Sequence, residues 1–334
     1  MISLSNKKIS FILRSFLYPL IILTIFLEIF FQIIFILDIK TFKKTVLFFN
    51  PYCDQIYWDY EGNSTFDNKE YSYHPILTLI KKRNEPMFDP NISKNYSSKK
   101  DGLIFYGSSF IDNKYFIANY KDEINYAIKS YGLDQIHKSY MLTKDKHSNK
   151  NIIIGFLLED IDRILFNQRN FPKLKYKKIN QNYEITNTPI KFDNIKNKKI
   201  VFYTYNLVKN LIFLTFNEYD YKKSECQINL KKDIFKFFID SIILNSKKLN
   251  QNIIFVTFIF ESDITSPNWR YLFVKEYFSS KNITHLDTIK IIKEDINKND
   301  LNTRNYYSLD DFHLNKYGFN VIIKNLDTLI KQYK

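Results

Sequence analysis

The sequence predicts an α/β domain, with a parallel sheet covered by helices on both faces, that follows an N-terminal transmembrane helix. Two observations lead to this prediction. A run of 22 residues from Phe16 to Leu37 contains no Lys, Arg or Asp. Beyond about residue 100, short apolar runs alternate with amphipathic stretches, which is the pattern of buried strands separated by helices. With 334 residues, 45% of them hydrophobic, the chain can build a substantial core.

The apolar run is long enough to cross a hydrocarbon core of about 30 Å as a helix. Seventeen of its residues are Ile, Leu or Phe, and each favours insertion by roughly 0.3–0.6 kcal/mol. Together they outweigh the single acid in the run, Glu28, whose insertion penalty is about 3 kcal/mol. Glu28 is either a functional intramembrane carboxylate or a protonated or partner-paired one, and the second interpretation is favoured.

The predicted anchor is expected to stay attached, because residues 38–41 offer no small-x-small cleavage site. Basic residues flank the run on both sides and nearly cancel the positive-inside bias. They are Lys7, Lys8 and Arg14 before it and Lys40, Lys43 and Lys44 after it. We expect a single-pass protein of the cell membrane, with a short head and a long extracytoplasmic (periplasmic) body.

The net charge of +14 does not by itself indicate nucleic-acid binding, because the 43 lysines are scattered and only six arginines accompany them. Attraction to an anionic membrane or glycan fits this charge better. The two cysteines, Cys53 and Cys226, have neither zinc-site nor redox-pair spacing, so no metal or cofactor is predicted. They are either independent or joined in a disulfide, and independence is favoured.

Three regions are predicted along the chain. Residues 1–37 form the anchor, and residues 38–100 form a stalk that packs on the domain without a regular strand-helix pattern. Residues 101–334 form the α/β domain. Within it, about residues 165–205 break the rhythm of strands and helices with prolines and many Asn and Lys, and are interpreted as an insertion lying over the sheet.

Five apolar runs are predicted strands of that domain: Leu103–Tyr106, Ile124–Ile128, Ile152–Leu158, Ile253–Phe258 and Ile283–Leu286. The stretches Asp233–Asn250 and Lys316–Gln332 are predicted helices, because their apolar residues recur on one face. These faces consist of Ile234, Phe237, Phe238, Ile242 and Ile243 in the first, and Phe319, Ile322, Ile323, Leu326 and Ile330 in the second.

The segment Gly107-Ser108-Ser109-Phe110 follows the first predicted strand of the domain directly. Ligands of open α/β sheets bind at the carboxyl ends of the strands, so a hydroxyl placed there faces the crevice. Ser109 is therefore a candidate nucleophile. Taken alone the motif is also compatible with an ordinary turn.

Near the other end of the chain, Asp310 and His313 stand three residues apart before the last predicted helix. At this spacing the carboxylate can hold the imidazole Nδ1–H and leave Nε2 free to accept a proton. Alternatively, His313 only caps the helix. The other four histidines match no motif and are interpreted as structural or surface residues.

Together these segments resemble the SGNH (GDSL-like) hydrolase superfamily over roughly residues 100–334. In that family a G-D-S-like block follows the first strand, and a D-x-x-H block precedes the final helix. The resemblance implies a three-layer, flavodoxin-like parallel sheet and a catalytic triad of Ser109, His313 and Asp310. Gly107-Ser108-Ser109 differs from the family block in having Ser108 in place of Asp.

Two further segments match the positions of the family's oxyanion hole. Asn125–Gln135 resembles its N-x-G-x-x-G-x-G segment, which assigns a backbone N–H donor to Ser130, beside that of Ser109. Glu159 takes the place of an Asn that donates a side-chain bond in the family, and an ionised Glu cannot donate. Either Glu159 is protonated by burial, or it pairs with Arg163 and the hole relies on the backbone.

The resemblance implies a membrane-anchored serine esterase that removes acyl groups, acetyl groups in particular, from an extracytoplasmic glycan. One alternative is an O-acyltransferase that modifies an exported polysaccharide, with acyl groups received from a membrane partner. A second alternative is a catalytically silent glycan-binding or assembly protein with the same fold. The expected partners are an ester substrate and the membrane, and no nucleic acid.

Overall fold

The computed structural model describes residues 11, 13–37, 69–89, 102–165, 168–169, 171–180, 182–191, 202–205, 207–208, 211, 227–309 and 313–332. The chain divides into two compact units. The first comprises residues 1–65, 168–170 and 196–226, and the second comprises residues 66–167, 171–195 and 227–334.

A five-stranded parallel sheet forms the centre of the second unit. Its strands are β1 (Leu103–Gly107), β2 (Ile124–Asn125), β3 (Asn151–Leu157), β4 (Asn252–Phe258) and β5 (His285–Asp287). They lie in the order β5-β4-β3-β1-β2, and every neighbouring pair is parallel. The order in which the strands are added to the sheet therefore reverses between β1 and β3. Open sheets of this order bind ligands at such a point. The predicted parallel α/β sheet is confirmed.

Six α-helices of at least six residues accompany this sheet in the described part of the unit. They are α1 (Lys114–Asn119), α2 (Leu133–Thr143), α3 (Ile228–Lys248), α4 (Trp269–Ser280), α5 (Thr288–Asn299) and α6 (Lys316–Lys331). Helix α2 packs on α3, whereas α6 packs on both α1 and α5. Two such groups are what a sheet covered on both faces requires.

The predicted faces of the two long amphipathic helices point into the core. Helix α3 buries Ile234, Phe238 and Ile242, while Phe237 and Ile243 are partly buried against the same core. Helix α6 buries all five of its predicted core residues. Both helices were therefore placed correctly from their apolar periodicity.

Strand β2 is much shorter than the predicted run to Ile128. The side chain of Asn125 accepts a hydrogen bond from Ala127 N (2.8 Å), and the regular strand ends there, although Ile128 N still donates to the Gly107 carbonyl of β1. Tyr126, Ala127 and Ile128 are buried nevertheless, so the apolar run indicates burial but not the strand end.

The predicted irregular stalk differs from the structure where residues 69–89 are described. Strands Tyr71–His74 and Thr78–Lys81 pair as an antiparallel hairpin, followed by a 3-10 turn (Lys82–Asn84) and a one-turn helix (Glu85–Phe88). Leu77 and Ile80 belong to the core of the second unit. The hairpin is thus part of the domain. Most of the rest of the predicted stalk, including Trp58 and Cys53, lies outside the described residues, as does Cys226.

The predicted insertion contains a second antiparallel hairpin, Tyr176–Ile179 with Asn182–Ile185. Short strands also occur at Phe171–Pro172 and, in the first unit, at Gln168–Arg169. Residues 203 and 204, at the end of the predicted insertion, belong to the first unit and bind Glu28 there.

The first unit contains the predicted anchor helix. A π-helical turn (Leu13–Leu17) leads into an α-helix (Tyr18–Ile36), which we call the N-terminal helix. Residues Arg14–Ile34 are long and apolar enough to cross a membrane by length and composition.

Candidate active site

Ser109 stands in a tight turn after β1, at the carboxyl edge of the sheet. The carbonyl of Ser108 accepts hydrogen bonds from Ile111 N (3.1 Å) and Asp112 N (2.9 Å), which closes the turn. Gly107 faces Gly155 of β3, and a Cβ atom on Gly107 would lie 2.5 Å from the Gly155 carbonyl oxygen. Only glycine therefore allows β1 and β3 to approach this closely beneath the serine.

The structure brings His313 to Ser109. His313 Nε2 lies 2.8 Å from Ser109 Oγ, although the two residues are 204 positions apart in the chain. The imidazole also packs on Phe110, with ring centroids 4.7 Å apart, and Phe110 is completely buried. The residue that follows the candidate nucleophile thus supports the candidate base.

The loop that carries His313 is bound at its base by backbone hydrogen bonds. Ser308 N donates to the His313 carbonyl (2.8 Å), and Tyr307 and Leu314 form an isolated β-bridge. Asn315 then caps α6 by accepting from Gly318 N (3.0 Å). These bonds fix where the loop leaves and rejoins the core.

Asp310, the predicted third member of the triad, lies outside the described residues. Its place in the loop between Ser308 and His313 keeps it close to the imidazole in sequence. The role of Asp310 as the acceptor for His313 Nδ1–H stays a prediction.

Ser130 lies in a loop whose backbone donates hydrogen bonds to one residue before Ser109 and one residue after it. Ile128 N donates to the Gly107 carbonyl (3.2 Å), and Lys129 N donates to Asp112 Oδ2 (3.2 Å). Ser130 itself has a φ of 69°, in the left-handed region that few non-glycine residues adopt. The serine thus has a backbone conformation that is more usual for glycine.

Glu159 pairs with Arg163, as one of the two sequence interpretations predicted. Arg163 Nη2 donates to Glu159 Oε2 (3.1 Å), and the Arg163 side chain is 4% exposed. The same guanidinium also binds Asp160. The pair is therefore not a solvated surface contact, and the carboxylate has a buried counter-charge.

Asp160 is a residue that sequence reasoning did not single out. Its Oδ2 accepts from Ser108 Oγ (2.7 Å) and Leu157 N (2.9 Å), which ties the end of β3 to the residue before the candidate nucleophile. Burial raises the pKa of this carboxyl, and the charge of Arg163 opposes that rise. A buried acid from the 3-10 helix after β3 (Leu158–Leu165) is therefore bound to the residue before the candidate nucleophile.

A second unpredicted contact lies just beyond the nucleophile. Lys81 Nζ binds Asp112 Oδ1 at 2.6 Å, and both side chains are almost fully buried. Because Asp112 also accepts from Lys129 N, one carboxylate connects the 71–81 hairpin, the turn after Ser109 and the loop of Ser130. Nothing in the sequence distinguishes Lys81 from the many surface lysines.

Buried ion pairs also fix the turn after β3, a 3-10 helix over Leu158–Leu165. Lys173 binds Asp134 (2.9 Å) and the Arg163 carbonyl (2.6 Å), and Lys231 binds Asp162 (2.6 Å). Both lysines are fully buried. Burial lowers the pKa of each lysine, and the attached aspartate opposes this.

The other four histidines have structural contacts. His74 Nδ1 accepts from Ile76 N and Leu77 N in the hairpin turn, while His137, His147 and His285 bond to hydroxyl groups. Burial is the main cause that lowers the pKa of His74, His147 and His285 to about 4 and that of His137 to about 3. These imidazoles are neutral at pH 7.

No group of three or more His, Cys, Asp or Glu side chains in the described part of the chain is placed to hold a metal ion. No known protein-family model and no curated protein matches the chain.

Proposed function

We propose that the protein is a serine ester hydrolase or O-acyltransferase of the SGNH type, anchored in the membrane by its N-terminal helix. The observation that carries this proposal is the contact of 2.8 Å between His313 Nε2 and Ser109 Oγ at the carboxyl edge of a parallel sheet. An ordinary turn at Ser109, or a histidine that only caps a helix, does not account for this pairing of distant segments.

In the proposed reaction His313 Nε2 takes the proton of Ser109 as its oxygen attacks an ester carbonyl. Asp310 holds the imidazole by Nδ1–H and stabilises its charged form. The imidazolium then returns the proton to the departing alcohol, which leaves an acyl group on Ser109. Attack by a second hydroxyl compound on this acyl-enzyme, with His313 again as base, completes the turnover.

The proposed oxyanion hole consists of the backbone N–H groups of Ser109 and Ser130. Glu159 contributes no donor, because its carboxylate accepts from Arg163. The Arg163 pairing reduces the repulsion that an unpaired Glu159 would exert on the developing oxyanion. The loss of one donor commonly costs about a hundredfold in rate, so we expect a slow enzyme.

Acyl groups of an extracytoplasmic glycan are the proposed substrate, and an acetyl ester is the simplest of these. The substrate class and the extracytoplasmic side of the body rest on the resemblance to membrane-tethered SGNH proteins. Water and a sugar hydroxyl are chemically equivalent second nucleophiles, so the same triad serves hydrolysis and transfer.

One assay separates the two reactions. Purified full-length protein in detergent or vesicles is incubated with an acetylated polysaccharide, and free acetate is measured together with acetyl transfer to an unacetylated acceptor glycan. Acetate release indicates an esterase, and transfer indicates an acyltransferase. Either activity must disappear in Ser109→Ala and persist in a control such as Ser148→Ala, which removes an exposed hydroxyl elsewhere.

A catalytically silent glycan-binding protein is the second candidate, because Glu159 stands where the family has a donating Asn. This candidate predicts neither acetate release nor transfer with any ester, while binding to the glycan is retained in Ser109→Ala.

A further inference from the structure

The N-terminal helix is joined to a distant segment of the first unit through Glu28. Glu28 Oε1 accepts from Tyr203 N (3.1 Å), and Glu28 Oε2 accepts from Thr204 N (2.8 Å). On the helix itself, Gln32 Nε2 donates to Glu28 Oε1 (2.8 Å). Both carboxylate oxygens are thus bound, and two of the three donors come from residues about 175 positions away along the chain.

Glu28 lies deep within the proposed membrane span. It is eight residues from the end of the helix at Ile36, or about 12 Å at a rise of 1.5 Å per residue. In hydrocarbon every backbone N–H needs a partner, and the first N–H groups of a helical turn have none within it. Residues 203–205 are helical, so Glu28 satisfies the donors that this turn cannot satisfy itself.

The segment that binds Glu28 exposes apolar side chains of its own. Phe202, Tyr205, Val208 and Leu211 are 43% to 66% exposed, as are many side chains of the N-terminal helix. Residues 200–216 contain no acid and only one basic residue, Lys209. An apolar surface of this kind, attached to a membrane-crossing helix, fits lipid better than water.

The chain path restricts how these 17 residues can meet a membrane. The second unit precedes them, up to Ile195, and follows them, from Gln227. The segment must therefore enter and leave on the same side, and 17 residues are too few to cross twice.

We propose that the apolar segment described at residues 202–205, 207–208 and 211 lies in the lipid bilayer as a re-entrant segment, held against the N-terminal helix by Glu28. This inference rests on the proposed membrane anchoring, and it goes beyond it by giving the protein a second membrane contact and giving Glu28 a partner.

Spin labels in reconstituted vesicles test the proposal in full-length protein. Single cysteines replace Val208, Ile25 or Leu244 in a Cys53→Ser, Cys226→Ser background. Leu244 is an exposed apolar residue of the second unit and serves as the matched aqueous control. We expect labels at 25 and 208 to be relaxed by oxygen, which concentrates in lipid, and the label at 244 by a water-soluble nickel chelate.

Two results would overturn the inference in distinguishable ways. A label at 208 that responds to nickel, while the label at 25 responds to oxygen, leaves the anchor intact and removes the re-entrant segment. Nickel access at 25 as well removes the anchor and the inference together.

Variants of Glu28 test the docking itself. Glu28→Leu should leave the label at 25 in lipid but shift the label at 208 towards nickel access, because the donors of Tyr203 and Thr204 lose their acceptor. Glu28→Gln keeps an acceptor oxygen and should retain the oxygen response at 208. An unchanged response at 208 in Glu28→Leu would contradict the role of Glu28.

Discussion

The two residues of the candidate active site stand in regions that are held in different ways. Ser109 follows a central strand, and buried side chains fix its turn through the Ser108–Asp160 and Lys81–Asp112 contacts. His313 stands in a loop bound at its base by backbone hydrogen bonds, where Leu309 is 85% exposed. The position of the nucleophile is therefore determined by buried side-chain contacts, whereas that of the base is determined by backbone bonds at the ends of its loop and by packing on Phe110.

The largest expected effect is on the rate of ester hydrolysis. It should be similar at Ser109 and His313, because the proposed proton transfer needs both residues. Ser109→Ala and His313→Ala should each lower the rate of hydrolysis of an activated acetyl ester by about a thousandfold or more. The double variant should be no slower than either single variant, since the two side chains act as one unit. Steady-state kinetics on all three proteins checks this, and losses that multiply in the double variant would contradict a shared proton transfer.

The next largest effect is expected on the free energy of unfolding, and it tests whether buried contacts hold the region of Ser109. Lys81→Met leaves the Asp112 carboxylate buried without its partner, which should cost about 3–5 kcal/mol of unfolding free energy. Lys290→Met is the matched control, because it breaks a pair with Glu294 in which both side chains are exposed, and such pairs contribute at most about 1 kcal/mol. Denaturant unfolding of both variants measures the difference. Equal losses would mean that the buried pair does not hold the nucleophile region.

Acid should lower the free energy of unfolding through buried histidines such as His147. The folded pKa of His147 is lowered to about 4 by burial, below the ordinary value of about 6.5. Between these values the unfolded chain binds a proton that the folded chain does not, so stability is full above pH 6.5 and falls as the pH drops towards 4. The loss from His147 is at most about 3 kcal/mol.

Unfolding free energies measured from pH 7 to 4 test the predicted loss of stability in acid. His147→Gln retains a hydrogen-bonding group for the Tyr126 hydroxyl, which lies 2.9 Å from His147 Nε2, and removes the titration. Its stability should fall less steeply with acid than that of the parent protein. A slope identical to that of the parent would show that His147 is not buried in its neutral form.

The smallest expected effect concerns the histidine loop. Asn315→Ala removes the cap of α6 and the bond from Asn315 Nδ2 to the Asn305 carbonyl (2.8 Å), at a cost of about 1 kcal/mol. Asn268→Ala removes a comparable cap from α4. Both variants should lose similar stability, but only Asn315→Ala should slow the proposed ester hydrolysis. Equal rates in the two would mean that His313 does not depend on this cap.

Apolar patterning predicted the parts of the fold that are buried on both faces. Strands β1, β3 and β4 and helices α3 and α6 were found because a continuous run or a helical stripe of large apolar residues leaves few alternatives. The 71–81 hairpin was not predicted, because its second strand ends at a charged residue, Lys81. This lysine is buried in an ion pair with Asp112. A pattern of apolar residues cannot show that a lysine has a buried partner.

Some residues of the candidate site could likewise be predicted from the sequence, and others could not. Ser109 and His313 were predictable because each stands at a strand or helix end in a recognisable short motif. Asp160, Asp112 and Lys173 were not, because a buried acid or lysine looks like a surface one until the partner is known. The bond between Glu28 and residues 203–204 depends on a long-range contact that no local pattern contains.

The rate at which a fluorophosphonate labels Ser109 tests the central claim most directly. Full-length folded protein is treated with the probe, and the adduct is assigned by peptide mass spectrometry to Ser109 or to its buried neighbour Ser108. We expect an adduct on Ser109 that forms rapidly in the parent protein and at least about a hundredfold more slowly in His313→Gln. An absent adduct, or equal rates in the two proteins, would contradict activation of Ser109 by His313.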